Sequence, residues 1–327
     1  MAAGCYCRWL RPMPAPQATH APTIPTRPPS VIRGILLMVF ATAMFMLMHG
    51  AIRMASAEIH PFVVAFYRNF IALLLLAPWI LRYGFRILKS ARPLVHLFRG
   101  GINVVSMLCF FVALGITPLA EVTALSFTAP LFATLGAVLF LGEKMRVRRW
   151  SALVIGFVGT LVILRPGFAE IGLGPMLIVF SSALWAGALL IIKVQSRTES
   201  SLTITLYMAI VMTPLSLLAA FPHWVWPDLT QLGWLVAVGA LGTAGQIALA
   251  QSFREADTTV VMPFDFLKLI WAAMIGFFAF GERPDIWTWL GGTVIFASSV
   301  YIAYREAKTR AQARAAEAAA ARDAVSG

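Results

Sequence analysis

Between Ile32 and Arg305 the chain carries ten apolar stretches, and this repetition limits its possible folds more than any other feature. They run over approximately 33–53, 60–81, 94–115, 119–141, 149–165, 172–193, 201–220, 231–252, 257–280 and 285–304. A helix crossing ~30 Å of hydrocarbon needs about 20 apolar residues. Charged or Gly/Pro-rich breaks separate the stretches, as at Arg82 to Arg92, Gly142 to Arg149 and Gly281-Glu282-Arg283-Pro284. The break at Gly115-Ile116-Thr117-Pro118 has no charge, but one helix through it would exceed any bilayer. Of the 327 residues, 60% are hydrophobic and only 12% charged. An ordinary soluble domain has about 25% charged residues. Too few polar side chains remain to cover a globular surface in water. A soluble enzyme, a nucleic-acid-binding domain and a disordered protein are therefore excluded. The expected fold is an all-α integral membrane protein with ten transmembrane helices.

The net charge of +12 reads as orientation. With the N-terminus inside, the inner loops hold Arg82, Arg86, Lys89, Arg92, Lys144, Arg146, Arg148, Arg149, Lys193, Arg197 and Arg254. The outer loops hold Arg53, Arg165 and Arg283. Lys and Arg concentrate on the cytoplasmic side of membrane proteins, so both termini are expected in the cytoplasm and the chain in a bacterial-type cytoplasmic (inner) membrane. The partners are then the lipid bilayer and a small molecule, with no nucleic acid. Cysteines introduced at Ser200 and Asp228 are expected to label from opposite sides, Ser200 from inside and Asp228 from outside. Labelling of both from one side would exclude this topology.

Residues 1–30 are Pro-, Ala- and Thr-rich and lack the ~7–15-residue apolar run of a secretory signal, so a disordered, uncleaved cytoplasmic tail is expected. Residues 306–327 are Ala-rich with alternating charge, which suits a short cytoplasmic helix at the membrane surface. Cys5, Cys7 and Cys109 imply no disulfide framework, and Cys5-Tyr6-Cys7 lacks nearby His or acid to complete a metal site. No metal and no cofactor are expected.

The chain also repeats. Shifted by 140 residues, Gly34 falls on Gly174, Phe40 on Phe180, Ser56 on Ser196 and Tyr67 on Tyr207. Shifted by 139, Gly142-Glu143 meets Gly281-Glu282, Trp150 meets Trp289 and Phe157 meets Phe296. Two units follow, 31–167 and 170–305, each of five spans. An odd number inverts the second unit relative to the first, an architecture shared by many secondary transporters. The two Gly-Glu turns then face opposite sides. They read either as a pair of symmetric gates or as helix ends, with Gly stopping one helix and Glu capping the next. Gly239, Gly242 and Gly245, Ala152, Gly156 and Thr160, and the pair Ala183 and Gly187 are spaced for close helix contact.

Phe66-Tyr67-Arg68-Asn69 in the second span, Ala129-Pro130-Leu131-Phe132 leading to Leu141-Gly142-Glu143 in the fourth, and Pro263-Phe264-Asp265-Phe266 leading to Phe280-Gly281-Glu282 carry a family resemblance. Over residues 31–306 the layout resembles the drug/metabolite transporter superfamily, specifically its ten-helix members with two EamA-type domains. The resemblance implies transport of a small organic compound. It specifies no substrate, since the superfamily spans amino acids, nucleotide-related compounds, vitamins and toxic amphiphiles. Pro130 and Pro263 stand at different distances from their Glu residues, so they are not equivalent positions.

A charge at mid-bilayer costs ~2.5–3.5 kcal/mol or more and requires a partner or a water-filled cavity. Lys268 lies near mid-membrane by helical rise, Arg68 is also deep, and Arg99 is shallow enough to snorkel to the inner surface. Asp265 and Lys268 share a helix face, either neutralising each other or meeting a substrate. Arg68 has no acid within reach in its own span, which leaves an interhelical pair such as Glu121 or a substrate anion. Candidate substrate-binding residues are Arg68, Lys268, Asp265, Asn103, Gln246, Trp185 and Tyr67. Glu121 and His49 are candidates for coupling to a proton. Interior aromatics, Phe45, Tyr67, Trp185, Tyr207 and Trp271, suit a flat or ring-containing metabolite or plain packing. Trp224, Trp226, Trp287 and Trp289 read as an interfacial belt.

The leading expectation is a secondary transporter of an anionic or zwitterionic metabolite, working by alternating access. An exporter of toxic amphiphiles or drugs is the alternative within that class. No phosphate-cradling loop is present for ATP hydrolysis. An intramembrane enzyme would need His-Glu-x-x-His or a Gly-x-Ser-x-Gly elbow, and neither occurs. A channel or receptor fits poorly, because pore rings normally come from subunit symmetry.

Overall fold

In the computed structural model, residues 30–83, 93–141, 147–165, 172–195, 201–256 and 261–326 are described, and they form helices without strands. The first three spans are α1 (Val31–Ser56), α2 (Pro61–Tyr83) and α3 (Pro93–Ile116). The uncharged break does separate two spans: α3 stops before Thr117-Pro118 and the fourth span begins at Leu119. That span is itself broken into α4 (Leu119–Ser126) and α5 (Ala129–Leu141). Next come α6 (Val147–Leu164), α7 (Leu173–Gln195), α8 (Ser201–Ala220) and α9 (Leu229–Glu255). The ninth span opens on a 3-10 turn, Met262–Phe266, and continues as α10 (Leu267–Phe280). The last, α11, runs unbroken over Ile286–Ser326. The C-terminal segment is therefore not a separate surface helix. Its alanines simply prolong the tenth span, because nothing between Tyr304 and Ala311 stops a helix.

Among the described residues six helices are long and apolar enough to cross a membrane, with shorter apolar helices at Pro61–Leu75, Trp150–Leu164 and Ile286–Ile302. Burial is arranged for lipid. On α3, Leu94, Leu97, Phe98 and Val105 are exposed while His96, Arg99, Asn103 and Ser106 are buried. Water would favour the reverse. Hydrocarbon favours apolar side chains outside and polar groups satisfied within. The chain is an integral membrane protein.

The helix pairings repeat under exchange of the two halves. The most extensive contacts include α1 with α9 and α3 with α7, which are the first span on the eighth and the third on the sixth. Exchanging the halves turns one pair into the other. The pairs α2 with α8, α6 with α11 and α4 with α10 map onto themselves. Detail follows the same rule. A Cβ on Gly34, near the start of α1, would clash with Ala256 at the end of α9. A Cβ on Gly174, near the start of α7, would meet Thr117 just past α3. Only glycine allows either approach. The breaks of the fourth and ninth spans are also equivalent. Phe127 and Phe266, 139 residues apart, stack on each other with ring centroids 6.2 Å apart.

Gly239 lies against Ile71, Gly242 against Met48 and Gly245 against Phe45, so this row is helix contact. Gly156 meets Leu131 and Ser298. Gly187 is different: nothing lies within 4 Å of the position a Cβ would take, so it makes no close contact.

Candidate functional site

Two polar regions stand out, one at the centre of the bundle and one on the distal face, the side of the 57–60, 117–118 and 281–285 connections and opposite the termini. At the centre, α2 supplies Arg68 and Asn69. The Arg68 guanidinium donates to Asn69 Oδ1 at 3.0 Å, and Asn69 Nδ2 donates to Ser216 Oγ on α8 at 3.2 Å. Asn69 thus pins the cation to a second helix. Among the described residues no carboxylate pairs with Arg68. Gly242 on α9 lies beside it, where a Cβ would touch Arg68 Nε at an ordinary 3.7 Å.

The broken ninth span brings the second cation. Lys268 Nζ pairs with Asp265 Oδ1 at 2.6 Å, as their spacing predicts, and lies 5.4 Å from the centroid of Phe45 on α1. That geometry is a cation–π contact. Trp271 Nε1, one turn on, donates to Thr42 Oγ1 at 3.3 Å and ties α10 to α1. His49 sits on the Phe110 ring at 5.1 Å, within electrostatic reach of both Lys268 and Arg68. Its Nδ1 is buried without a hydrogen-bond partner. Lys268, paired with Asp265, and Arg68 thus both lie near His49.

Among the described residues no hydrogen bond, ion pair or ring contact joins the other candidates to these residues. Asn103 on α3 is 2% exposed, and neither its Nδ2 nor its Oδ1 has a partner. Trp185 lies on α7 and is 39% exposed. Gln246 is exposed. Tyr67 turns away from its neighbour Arg68 and packs with Phe66 and Trp224, at 5.3 and 5.9 Å. Trp224 accordingly belongs to an aromatic cluster rather than to a lipid belt, whereas Trp226 is fully consistent with the belt at 80% exposed. Arg99 does not snorkel. It is completely buried and donates to the Ile204 carbonyl at 2.8 Å, because α8 covers it. Phe45 and Asn69 were not singled out from sequence as site residues. An apolar ring and a hydrogen-bonding amide carry no distinctive signal until Arg68 and Lys268 are placed.

On the distal face, Gly281 takes φ 66° and ends α10, and the Glu282 N–H returns to the Gly276 carbonyl at 2.9 Å. The helix-end reading thus holds for Gly281. Glu282, however, does not cap the helix that follows it. Its Oε2 accepts from Leu119 N–H at 2.9 Å, at the start of α4, and its other oxygen pairs with Arg53. Arg53 also donates to the Thr117 carbonyl at 3.1 Å and lies 4.7 Å over Phe280. Arg165 pairs with Asp285 at 2.8 Å. Glu121 lines a recess of about 350 Å³ with Thr117 and Arg165. It lies in this distal group rather than beside Arg68. The equivalent turn, Gly142-Glu143, lies outside the described residues, as do Cys5 and Cys7.

On the same face as this Arg53–Glu282 latch, His60 stacks on His223, centroids 3.7 Å apart and 11° from parallel. Burial, then the adjacent His223, holds the His60 imidazole below its ordinary pKa. A base so shifted takes its proton later in the folded state than in the unfolded one. Stability should therefore fall as pH drops below about 6.5. Thermal melts in detergent at pH 7.5 and 5.5 are expected to show that fall, and His223→Phe, which keeps the stack without a second base, is expected to reduce it. An unchanged fall would remove this pair as its cause.

Comparison with known proteins follows the same architecture. The model of the EamA-like transporter family matches residues 32–165 and 172–304. An S-adenosylmethionine uptake transporter of Rickettsia bellii is 32% identical over 77% of this chain and 87% of its own length. A riboflavin transporter of Vibrio cholerae is 32% identical over 85% and 95%. The pseudopaline exporter CntI of Pseudomonas aeruginosa is 28% identical over 82% and 94%. One solved crystal structure shares the fold, with a TM-score of 0.55 at 19% identity, covering 83% of this chain and 96% of that one.

Proposed function

The chain belongs to the EamA-like transporter family, and on that premise we propose that it is a secondary transporter of a small organic metabolite bearing an anionic or zwitterionic group. It is not an enzyme. The substrate crosses the cytoplasmic membrane by alternating access, with both termini in the cytoplasm and the distal face outside. The observation that carries the reading is that two deep cations, Arg68 and Lys268, both lie within electrostatic reach of His49, while Asp265 is the acid paired with Lys268. With all three ionised, one positive charge remains uncompensated by these residues. Low dielectric magnifies it, and an anionic substrate group offsets it. Proton coupling through His49 or Glu121 completes the proposal.

Relatives named for S-adenosylmethionine and riboflavin suggest the first probes. Both compounds carry a flat heteroaromatic ring, and the first also carries a carboxylate. The test is counterflow in proteoliposomes containing the purified full-length protein. Saturable exchange of labelled substrate supports the carrier. Ion current without saturation, or conversion to a new product, overturns it. Collapse of proton and sodium gradients is expected to abolish concentrative transport. Transport that persists unchanged would replace ion coupling by facilitated diffusion or exchange. The exporter reading gains support from the relative named as an exporter, and predicts higher intracellular substrate when the gene is deleted.

A further inference from the structure

We propose that the distal recess is a binding site for an organic ammonium group, with the Glu121 carboxylate as its counter-ion and the Thr117 hydroxyl as a hydrogen-bond acceptor. Binding there does not depend on the transporter reading. What rests on that reading is the link to the transported solute: a zwitterion presents its ammonium here and its anionic group to Arg68 and Lys268.

Charge sets the sign of the ligand. At the recess α3 and α6 end while α4 and α7 begin, so the partial charges of these helix ends oppose one another. Ionised side chains then decide. Glu121 has Arg165, Asp285 and Glu282 within electrostatic reach. Arg165 is paired with Asp285, and Glu282 with Arg53. The two pairs are neutral, which leaves Glu121. It is half-buried on the recess wall, and among the described residues it makes no hydrogen bond or ion pair. A partly buried carboxylate without a partner attracts a cation, and more strongly than it would in bulk water.

Thr117 supplies the acceptor. It is 2% exposed, its N–H donates to the Ala113 carbonyl at 2.9 Å, and its own carbonyl accepts from Arg53 at 3.1 Å. Its hydroxyl is buried and has no partner. That hydroxyl occupies the space Gly174 leaves by lacking a Cβ, and both residues line the recess with Glu121. An ammonium donates up to three hydrogen bonds, so one such group serves the carboxylate and the hydroxyl together. Size favours an organic ion over a bare metal ion. The recess holds about 350 Å³, the volume of about a dozen waters at ~30 Å³ each. Among the described residues no three His, Cys, Asp or Glu side chains are grouped to hold a metal. Ile116, Ile163 and Leu173 line the same space and give the carbon body of an organic ion an apolar surface.

The experiment uses the full-length protein in nanodiscs at about pH 8, where an ordinary carboxylate is ionised. Cys5→Ala, Cys7→Ala and Cys109→Ala remove the native thiols, and Leu173→Cys places a reporter on the recess wall, at a position 64% exposed. Its rate of reaction with an uncharged maleimide is measured in ethylammonium chloride, sodium chloride and sodium propionate at equal ionic strength. A ligand of three non-hydrogen atoms binds no tighter than about millimolar, so about 50 mM ethylammonium is expected to slow labelling about twofold or more relative to sodium chloride. Propionate is expected to give no slowing. Glu121→Gln, which keeps the side chain's shape, should abolish the protection, and Thr117→Val should reduce it. Equal rates in the three salts, protection by propionate instead, or protection that persists in Glu121→Gln overturns the proposal. The comparison of salts with Glu121 and Thr117 intact decides the sign of the site even if either variant fails to fold. No measurement here requires turnover, so a negative result leaves saturable counterflow, and with it the transporter reading, standing.

Discussion

Lys268→Ala is expected to lower kcat/KM for transport by about 10- to 100-fold while the protein still inserts and purifies normally. A charge-assisted hydrogen bond contributes ~1.5–3 kcal/mol, and each 1.4 kcal/mol is a factor of about ten. The Lys268 side chain is 21% exposed and that of Asp265 17%, so loss of their ion pair should weaken folding far less than loss of a fully buried pair would. Lys268→Arg keeps the charge but replaces a compact ammonium with a planar fork, and is expected to restore activity only in part. The decisive variant is Asp265→Asn with Lys268→Met, which removes both charges together. Full activity in that double variant would make the pair structural and put the site elsewhere. A marked preference for permanently cationic substrates lacking an anionic group would also count against the charge argument.

Breaking the distal latch is expected to cost more stability than any of these changes. Arg53 and Glu282 are 22% and 12% exposed, and Glu282 also accepts from the first turn of α4. Removing one partner of a buried pair costs ~3–5 kcal/mol, and partial exposure brings the expected value to about 2–4 kcal/mol. Arg53→Met should therefore lower the melting temperature in detergent by several degrees. Glu282→Gln keeps an acceptor for Leu119 N–H, so its effect should be smaller. Because the latch joins the start of α4 to the end of α10 and to α1, its loss should also open the distal side. In Arg53→Met, a cysteine at His49 should react faster with an impermeant thiol reagent added from outside. Unaltered labelling with lowered stability would make the pair a fold element rather than a gate.

Helix number and the inverted repeat were legible because hydrocarbon thickness and Lys/Arg placement act on every span at once. The breaks inside spans four and nine were not. Pro130 and Pro263 mark a helix boundary nearby, but they stand at non-equivalent positions, so they do not by themselves place equivalent breaks at Phe127 and Phe266. At those interruptions the two rings, one from each half, meet. Arg68 and Lys268 could be identified as deep cations from their positions in their spans. That His49 lies near both could not, since their convergence depends on how α1, α2 and α10 cross. Arg99 misled for a related reason. Depth along a helix predicts snorkelling only if the neighbouring helix leaves a path, and α8 closes it.

The exchange symmetry of the helix pairings has a thermodynamic consequence. In an inverted duplication, the inward- and outward-open conformations are obtained by swapping the shapes of the two halves. If every residue matched its equivalent, the two states would have equal free energy and equal populations. Any bias must come from mismatched positions, among them Lys268 against Ala129 and Arg68 against Met208. These two cations are assigned to the ligand. Moving such a balanced equilibrium takes little work: a twofold population change needs only about 0.4 kcal/mol. A modest solute or ion gradient is then enough to drive such a cycle, and substitution of Lys268 or Arg68 should shift its resting state.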